Sequence, residues 1–187
     1  MTVLVAVASR HGATAEIAER IGRDLADRGL SVEVQKLPVA DDDIARYEAF
    51  VIGSAIYLGK WMKDATRFVE AHVDDLTEHP TWLFASGSIV GDPPVADDPN
   101  AMRPSLAEKL VASTHALEHK LFAGKLDGSR LGFTERLPVK MAGGREGDWR
   151  DWDAVDTWAA SIADHLRQPV DARSAETGGL ATRGGRR

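Results

Sequence analysis

The chain has 187 residues and no cysteine, and its 29 acidic against 23 basic residues leave a formal net charge of −6 at pH 7. That length suits one domain with a sizeable core, and the missing cysteines exclude disulfides, thiolate metal sites and a cysteine nucleophile, as fits a reducing compartment. An acidic chain with no dense Lys/Arg stripe is a poor general nucleic-acid binder, and the cytoplasm is its expected location.

Residues 3–8, VLVAVA, make a short apolar run expected to be a strand buried on both faces. The opening MTVLVAVASRHG lacks a basic n-region, and its apolar run is too short for a bilayer, so it reads as strand and not as signal peptide. No run reaches about 18 apolar residues, which leaves peripheral contact as the membrane association still open. Over residues 13–28, Ile17, Ile21 and Leu25 recur every fourth position, a helical stripe, and Gly29 is placed as its C-terminal cap. SVEVQKL, 31–37, alternates like an edge strand, and the DDD at 41–43 suits a helix cap and solvated loop. AFVIGSAIY, 49–57, is a second buried strand running into a Gly/Ser turn over 53–59. A helix follows over 61–78 with Phe68, Val69 and Leu76 inward; TWLFASGS, 81–88, is a third buried strand ending in another Gly/Ser turn. Residues 104–119 read as helix, LGFTERL at 131–137 as the last strand, and 152–167 as a final helix with Trp152, Val155, Trp158, Ala159 and Ile162 on one side. From residue 168 the composition is rich in Gly, Arg, Ser and Thr and nearly free of bulky apolar residues. This divides the chain into a domain over 1–167 and a disordered or linker-like tail over 168–187.

Strands alternating with helices predict an α/β domain with a parallel sheet. Such sheets bind ligands beyond the carboxyl ends of their strands, where the winding reverses. The Gly/Ser turns at 9–14, 53–59 and 86–91 all follow strand carboxyl ends, so they belong on one edge of the sheet. The first of them, SRHGAT, offers the hydroxyls of Ser9 and Thr14, several backbone N–H groups, and Gly12 for a tight bend. A helix starting at Ala13 or Thr14 would turn its positive end toward them, which suits an anion. The stretch is neither a P-loop nor the three-glycine dinucleotide fingerprint. With no Lys after the glycine, a monophosphate suits it better than a nucleoside triphosphate. A Ser/Thr-capped turn accounts for the same residues.

At these residues the chain resembles the flavodoxin family, whose phosphate loop runs Ser/Thr-x-Thr-Gly-x-Thr; here Ser9, Arg10, His11, Gly12, Ala13 and Thr14 stand in it, with His11 replacing a hydroxyl residue. The resemblance extends over residues 2 to about 167. VIGSAIYLGKW and FASGSIVGDP match the two flavin loops, and EGDWRDWDAVDTWAASIA looks like the C-terminal signature of flavodoxin-domain proteins related to menaquinone-dependent protoporphyrinogen oxidase. It implies a doubly wound five-stranded parallel sheet of order 2-1-3-4-5 with helices on both faces, and FMN as cofactor. The phosphate would then sit on Ser9, Arg10, His11, Gly12, Ala13 and Thr14. Ser54, Ala55, Ile56, Tyr57 and Gly59 would meet one side of the flavin ring, and Ser86, Gly87, Ser88, Ile89, Val90 and Gly91 the other. His11 either bonds the phosphate or caps the loop; Arg10 either pairs with the phosphate or faces solvent; Tyr57 or Trp61 either stacks on the ring or packs at a helix start.

Electron-shuttle flavodoxins usually carry an aromatic in the second flavin loop, and SGSIVGDPP has none. That leaves the ring face open to a flat organic substrate such as a quinone or porphyrinogen, unless a loop over 138–149 covers it. Lys60, Lys63 and Arg67 are the cations expected near the mouth, with Arg145 and Arg150 as further candidates, either to meet porphyrin carboxylates or as a solvated helix face. His115 and His119 stand four apart, a spacing metals use, but no third ligand accompanies them and surface placement is expected. GSA and SGS lack the nucleophile-elbow pattern, and no acid or base residue stands out. Three functions follow: an FMN-dependent oxidoreductase, an electron-transfer flavodoxin serving a protein redox partner, and a binding module that kept the fold without the flavin.

Overall fold

A computed structural model of the chain describes residues 1–39, 41–57, 60–87, 105–127 and 146–168. Strand β1 (Thr2–Ala8) leads into helix α1 (Ala13–Asp27) and strand β2 (Ser31–Lys36). A 3-10 helix over Asp41–Arg46, where a cap and loop were expected, precedes β3 (Ala49–Tyr57) and the short β4 (Lys60–Trp61). Helices α2 (Lys63–Ala71) and α3 (Val73–Glu78), strand β5 (Thr81–Gly87) and helix α4 (Ser105–Thr114) follow. Then come β6 (Glu118–Ala123), a two-stranded antiparallel ribbon of β7 (Lys125–Leu126) and β8 (Gly147–Asp148), and α5 (Trp152–Arg167).

The main sheet runs β2-β1-β3-β5-β6 with every one of these pairs parallel, and β4 folds back antiparallel on β3. Counted among the five parallel strands, this is the expected order 2-1-3-4-5. Alternate residues of β1 serve two cores. Val3, Val5 and Val7 pack with Ile17, Ile21 and Leu25 of α1 and with Val155, Trp158, Ala159 and Ile162 of α5. Leu4, Ala6 and Ala8 pack with Phe68 and Val69 of α2, Leu76 of α3 and Leu110 of α4. Helices thus cover both faces, and VLVAVA needs no polar alternation because water reaches neither side.

The helix stripe over 13–28 forms as expected. It closes at Gly29, whose φ of +87° is left-handed; Gly29 N–H donates to Ala26 O at 2.8 Å and Leu30 N–H to Leu25 O at 3.2 Å, a Schellman closure. The last helix spans 152–167 as expected, and its cap, Asp151, accepts a bond from Ala154 N at 2.9 Å.

Three boundaries differ. Gly53 does not open a turn: β3 continues through it to Tyr57. A Cβ at position 53 would lie 2.1 Å from Phe84 Cζ, so this glycine admits an aromatic ring from β5. The helix expected over 61–78 is split, with Trp61 in β4 and a break at His72 between α2 and α3, although Phe68, Val69 and Leu76 are buried as foreseen. The helix expected over 104–119 stops at Thr114, and Glu118–Ala123 is the strand beside β5. As an edge strand, EHKLFA buries Phe122 alone among its side chains, so it lacks the apolar run that marks a central strand. The segment 131–137, expected to be the last strand, and the tail from 169 lie outside the described residues.

Candidate functional site

Register brings the strand ends level. Ser54 on β3 pairs with Ala8 on one side and Ala85 on the other, and Ala55 pairs with Ser86. The segments that begin at Ser9, Ala55 and Ser86 therefore leave one edge of the sheet side by side, as the pattern of turns predicted. β1 and β3 are neighbours at that edge while β2 lies beyond β1, so the winding reverses between β1 and β3, where such sheets take ligands.

The first segment leads into a helix whose opening amides, residues 13–15, have no partner within the helix. Gly12, at φ +90° and ψ −22°, is the N-cap of α1, and no side chain caps the helix. The first intrahelical bond there is Glu16 N–H to Gly12 O at 2.9 Å. The preceding amides thus have no partner within the helix, and they stand at the positive end of its dipole. A glycine cap replaces the Ser/Thr-capped turn that was the competing explanation. Thr14 is buried at 2% exposure; Ser9, His11, Gly12 and Ala13 are half-buried, and Arg10 is exposed.

The second segment is closed on itself. Ser54 is fully buried, and its hydroxyl donates to Ala55 O and accepts from Met62 N–H, both at 2.9 Å. These bonds hold the reversal between β3 and α2, so Ser54 shapes this wall from within. Ala55 is buried, Ile56 half-buried, and Tyr57 ends the strand opposite Lys60; Gly59 lies outside the described residues. Trp61 is 4% exposed within the α2–α4 core, its ring 6.0 Å from that of His119. Core packing, not stacking on a ligand, is its role.

The third segment carries the clearest vacancy in hydrogen bonding. Ser86 is 2% exposed, and its Oγ has no hydrogen-bond partner. Burying a hydroxyl unpaired costs about 1–3 kcal/mol, so an orphan at a ligand-binding edge marks a group that a ligand can satisfy. Gly87 is buried beside it; Ser88, Ile89, Val90 and Gly91 lie outside the described residues.

Of the cations expected at the mouth, Lys60, Lys63 and Arg67 are exposed at and just after the β3–β4 reversal, and Arg145 lies outside the described residues. Arg150 is elsewhere engaged: its side chain is 5% exposed and ion-paired at 2.6 Å with both Glu16 and Asp148. The Asp148 hydrogen bonds raise the Arg150 pKa further, and the guanidinium in turn holds the Asp148 carboxyl below the usual carboxylate range. Asp148 and Arg150 stand two apart in sequence, but nothing in the sequence announces Glu16 as their partner. His115 and His119 do not share a helix: His115 is in a left-handed turn at φ +50° and His119 is in β6. Among the described residues no group of three His, Cys, Asp or Glu could hold a metal ion, and no helix is long and apolar enough to cross a membrane.

A doubly wound parallel sheet of this order, with helices on both faces, defines an α/β protein of flavodoxin type. The flavodoxin domain family matches residues 4–151, and the chain belongs to that family. It is similar to the protoporphyrinogen IX dehydrogenase [quinone] of Escherichia coli K12, with 26% identity over 182 residues, 91% of this chain and 99% of that protein. Among solved structures it matches oxidised flavodoxin 1 of Bacillus cereus with a TM-score of 0.59 at 16% identity, over 89% of this chain and 99% of that one. The flavodoxin of Streptococcus pneumoniae TIGR4 matches with a TM-score of 0.58 at 17% identity, over 88% and 99%. These structures support the fold. The family implies a flavin cofactor, and the residues present fit one: the helix-opening amides of residues 13–15, without partners within the helix, for an anion, and the unpaired Ser86 hydroxyl on a strand end at the same edge.

Proposed function

We propose that this chain binds FMN and works as an oxidoreductase on a flat organic substrate of quinone or protoporphyrinogen type, in the cytoplasm. The observation that carries the reading is the end-to-end similarity to the dehydrogenase of E. coli, which takes in 99% of that protein and so extends beyond the sheet. The phosphate would be held by the amides of residues 10–14 with the Ser9 and Thr14 hydroxyls. Ala55, Ile56 and Tyr57 on one segment and Ser86 and Gly87 on the other would flank the ring, with Ser86 as a hydroxyl available to its polar edge. FMN supplies the electron transfer when bound; the chain's part is to bind it, orient it and set its surroundings. The loop after Gly87 contains no aromatic residue to cover the ring, and the exposed Lys60, Lys63 and Arg67 suit a substrate bearing carboxylates. A quinone substrate would bring the protein into peripheral contact with a membrane.

A second reading, an electron-transfer flavodoxin with a protein partner, draws support from the net charge of −6 and from flavodoxins that match over 99% of their own length. The deciding experiment reconstitutes the purified chain with FMN and records its absorbance; one portion is reduced and offered menadione, and another, left oxidised, is given protoporphyrinogen IX with menadione as electron acceptor. Bound FMN and rapid reoxidation by menadione, or conversion of the porphyrinogen to fluorescent porphyrin, are the expected results. Failure with every quinone and porphyrinogen, with transfer to a redox protein intact, favours the second reading; a chain that takes up no FMN defeats both.

A further inference from the structure

The buried Arg150 lies where the β7–β8 ribbon meets the first turn of α1. Its Nε and Nη2 donate to the two carboxylate oxygens of Asp148 at 2.8 and 2.6 Å, while Nη1 donates to Glu16 Oε2 at 2.6 Å and approaches Ala13 O at 3.5 Å. The guanidinium also lies over the Trp152 ring, 4.6 Å from its centroid. One side chain thus joins the start of α1, the ribbon and the start of α5.

Glu16 is the acidic residue of the first turn of α1, directly after the helix-opening amides of residues 13–15. With no anion bound, a carboxylate there is favourable, because it faces the positive end of the helix dipole. With a phosphate at the same end, the carboxylate becomes a like charge competing for the same donors. A guanidinium 2.6 Å from Glu16 offsets that repulsion, and its bidentate grip on Asp148 holds it in place.

We infer that Arg150 is a positioning residue for the phosphate end of FMN: by pairing with Glu16 and tying the ribbon to the first turn of α1, it keeps the cradle behind Gly12 receptive to a dianion. It does this from behind the cradle, through the charge it offsets and the helix turn it holds. The inference rests on the flavin reading above, and its test separates the two.

The test titrates the full chain with FMN and with riboflavin, which has the same ring and no phosphate, and follows quenching of flavin fluorescence. Arg150→Met keeps much of the packing on Trp152 and removes the charge. The fold should tolerate it, because the Glu16 and Asp148 side chains are 39% and 40% exposed and water can solvate the released carboxylates. Arg150→Met is expected to weaken FMN about tenfold, the size of an uncompensated charge at a helix end, and riboflavin by less than about twofold. Adding Glu16→Gln in the Arg150→Met background removes the repulsion and should return FMN affinity to within about threefold of the unaltered chain. Equal losses for both flavins would reduce Arg150 to a scaffold residue and overturn the inference. So would a double variant that binds FMN as weakly as Arg150→Met, or an Arg150→Met that binds like the unaltered chain. If the unaltered chain quenches neither flavin, the flavin reading itself falls and takes this one with it.

Discussion

Ser54 and Ser86 lie on neighbouring central strands at the same sheet edge, and both are at most 2% exposed. The hydroxyl of Ser54 donates one bond and accepts another, whereas that of Ser86 makes none. Both serines come from short Gly/Ser stretches that look alike in sequence. What separates them is the chain that follows. After Ser54 the backbone reverses into β4 and brings the Met62 N–H back to it. After Ser86 no described residue supplies a partner. A satisfied buried hydroxyl is fixed in place by its partners, and an unsatisfied one leaves a bond for water or a ligand to make.

The contrast can be broken most severely between the two serines' strands. Gly53→Ala would drive a Cβ to 2.1 Å from Phe84 Cζ, so a stability loss of about 3 kcal/mol is expected in denaturant unfolding. An unchanged midpoint would mean that β3 and β5 do not approach as described. Next, Ser54→Ala strips the Met62 N–H of its acceptor and should cost about 2 kcal/mol, measured by the same unfolding, before any flavin is added. Ser86→Ala is the counterpart with the opposite signature. It loses no bond and removes an unpaired buried hydroxyl, so the chain without flavin should gain about 1 kcal/mol of stability, while FMN binding weakens about fivefold in a fluorescence titration. Equal destabilisation by the two serine variants would erase the distinction.

The smallest expected effect concerns the ribbon. Arg150 holds the Asp148 pKa below its ordinary value, so the pair contributes stability above the unfolded carboxylate pKa of about 3.9 and loses it as pH falls through the lower folded value. Asp148→Asn should therefore lower the melting temperature slightly at pH 7, by about 0.5 kcal/mol equivalent given the exposure of the carboxylate. Its deficit should shrink below pH 4. A deficit that grows on acidification would contradict the sign.

Periodicity and turn chemistry carried the sequence reading where burial is one-sided or complete. Ile17, Ile21 and Leu25, the stripe of α5, the apolar β1 and the bend at Gly12 were all legible, because each rests on the spacing of neighbours along the chain. For Trp61 and Arg150 the sequence left two readings open each, since an aromatic or a cation looks the same whether it faces a ligand, a core or a distant carboxylate. The edge strand Glu118–Ala123 was missed, its first two residues taken into a helix, because one buried side chain leaves no alternation to recognise.

By itself, then, the amino-acid sequence determined the α/β class, the parallel direction of its central strands and the edge where their turns gather, while their order came from the resemblance to flavodoxins. The class, the direction and the edge follow from local hydrophobic pattern and from the handedness common to all such sheets. Only the tertiary structure decided which of two like serines keeps a free hydroxyl, why Gly53 has no side chain, and that Arg150 reaches back 134 residues to Glu16. Those outcomes depend on atoms brought together from remote parts of the chain, whose contacts leave no mark on the residues beside them.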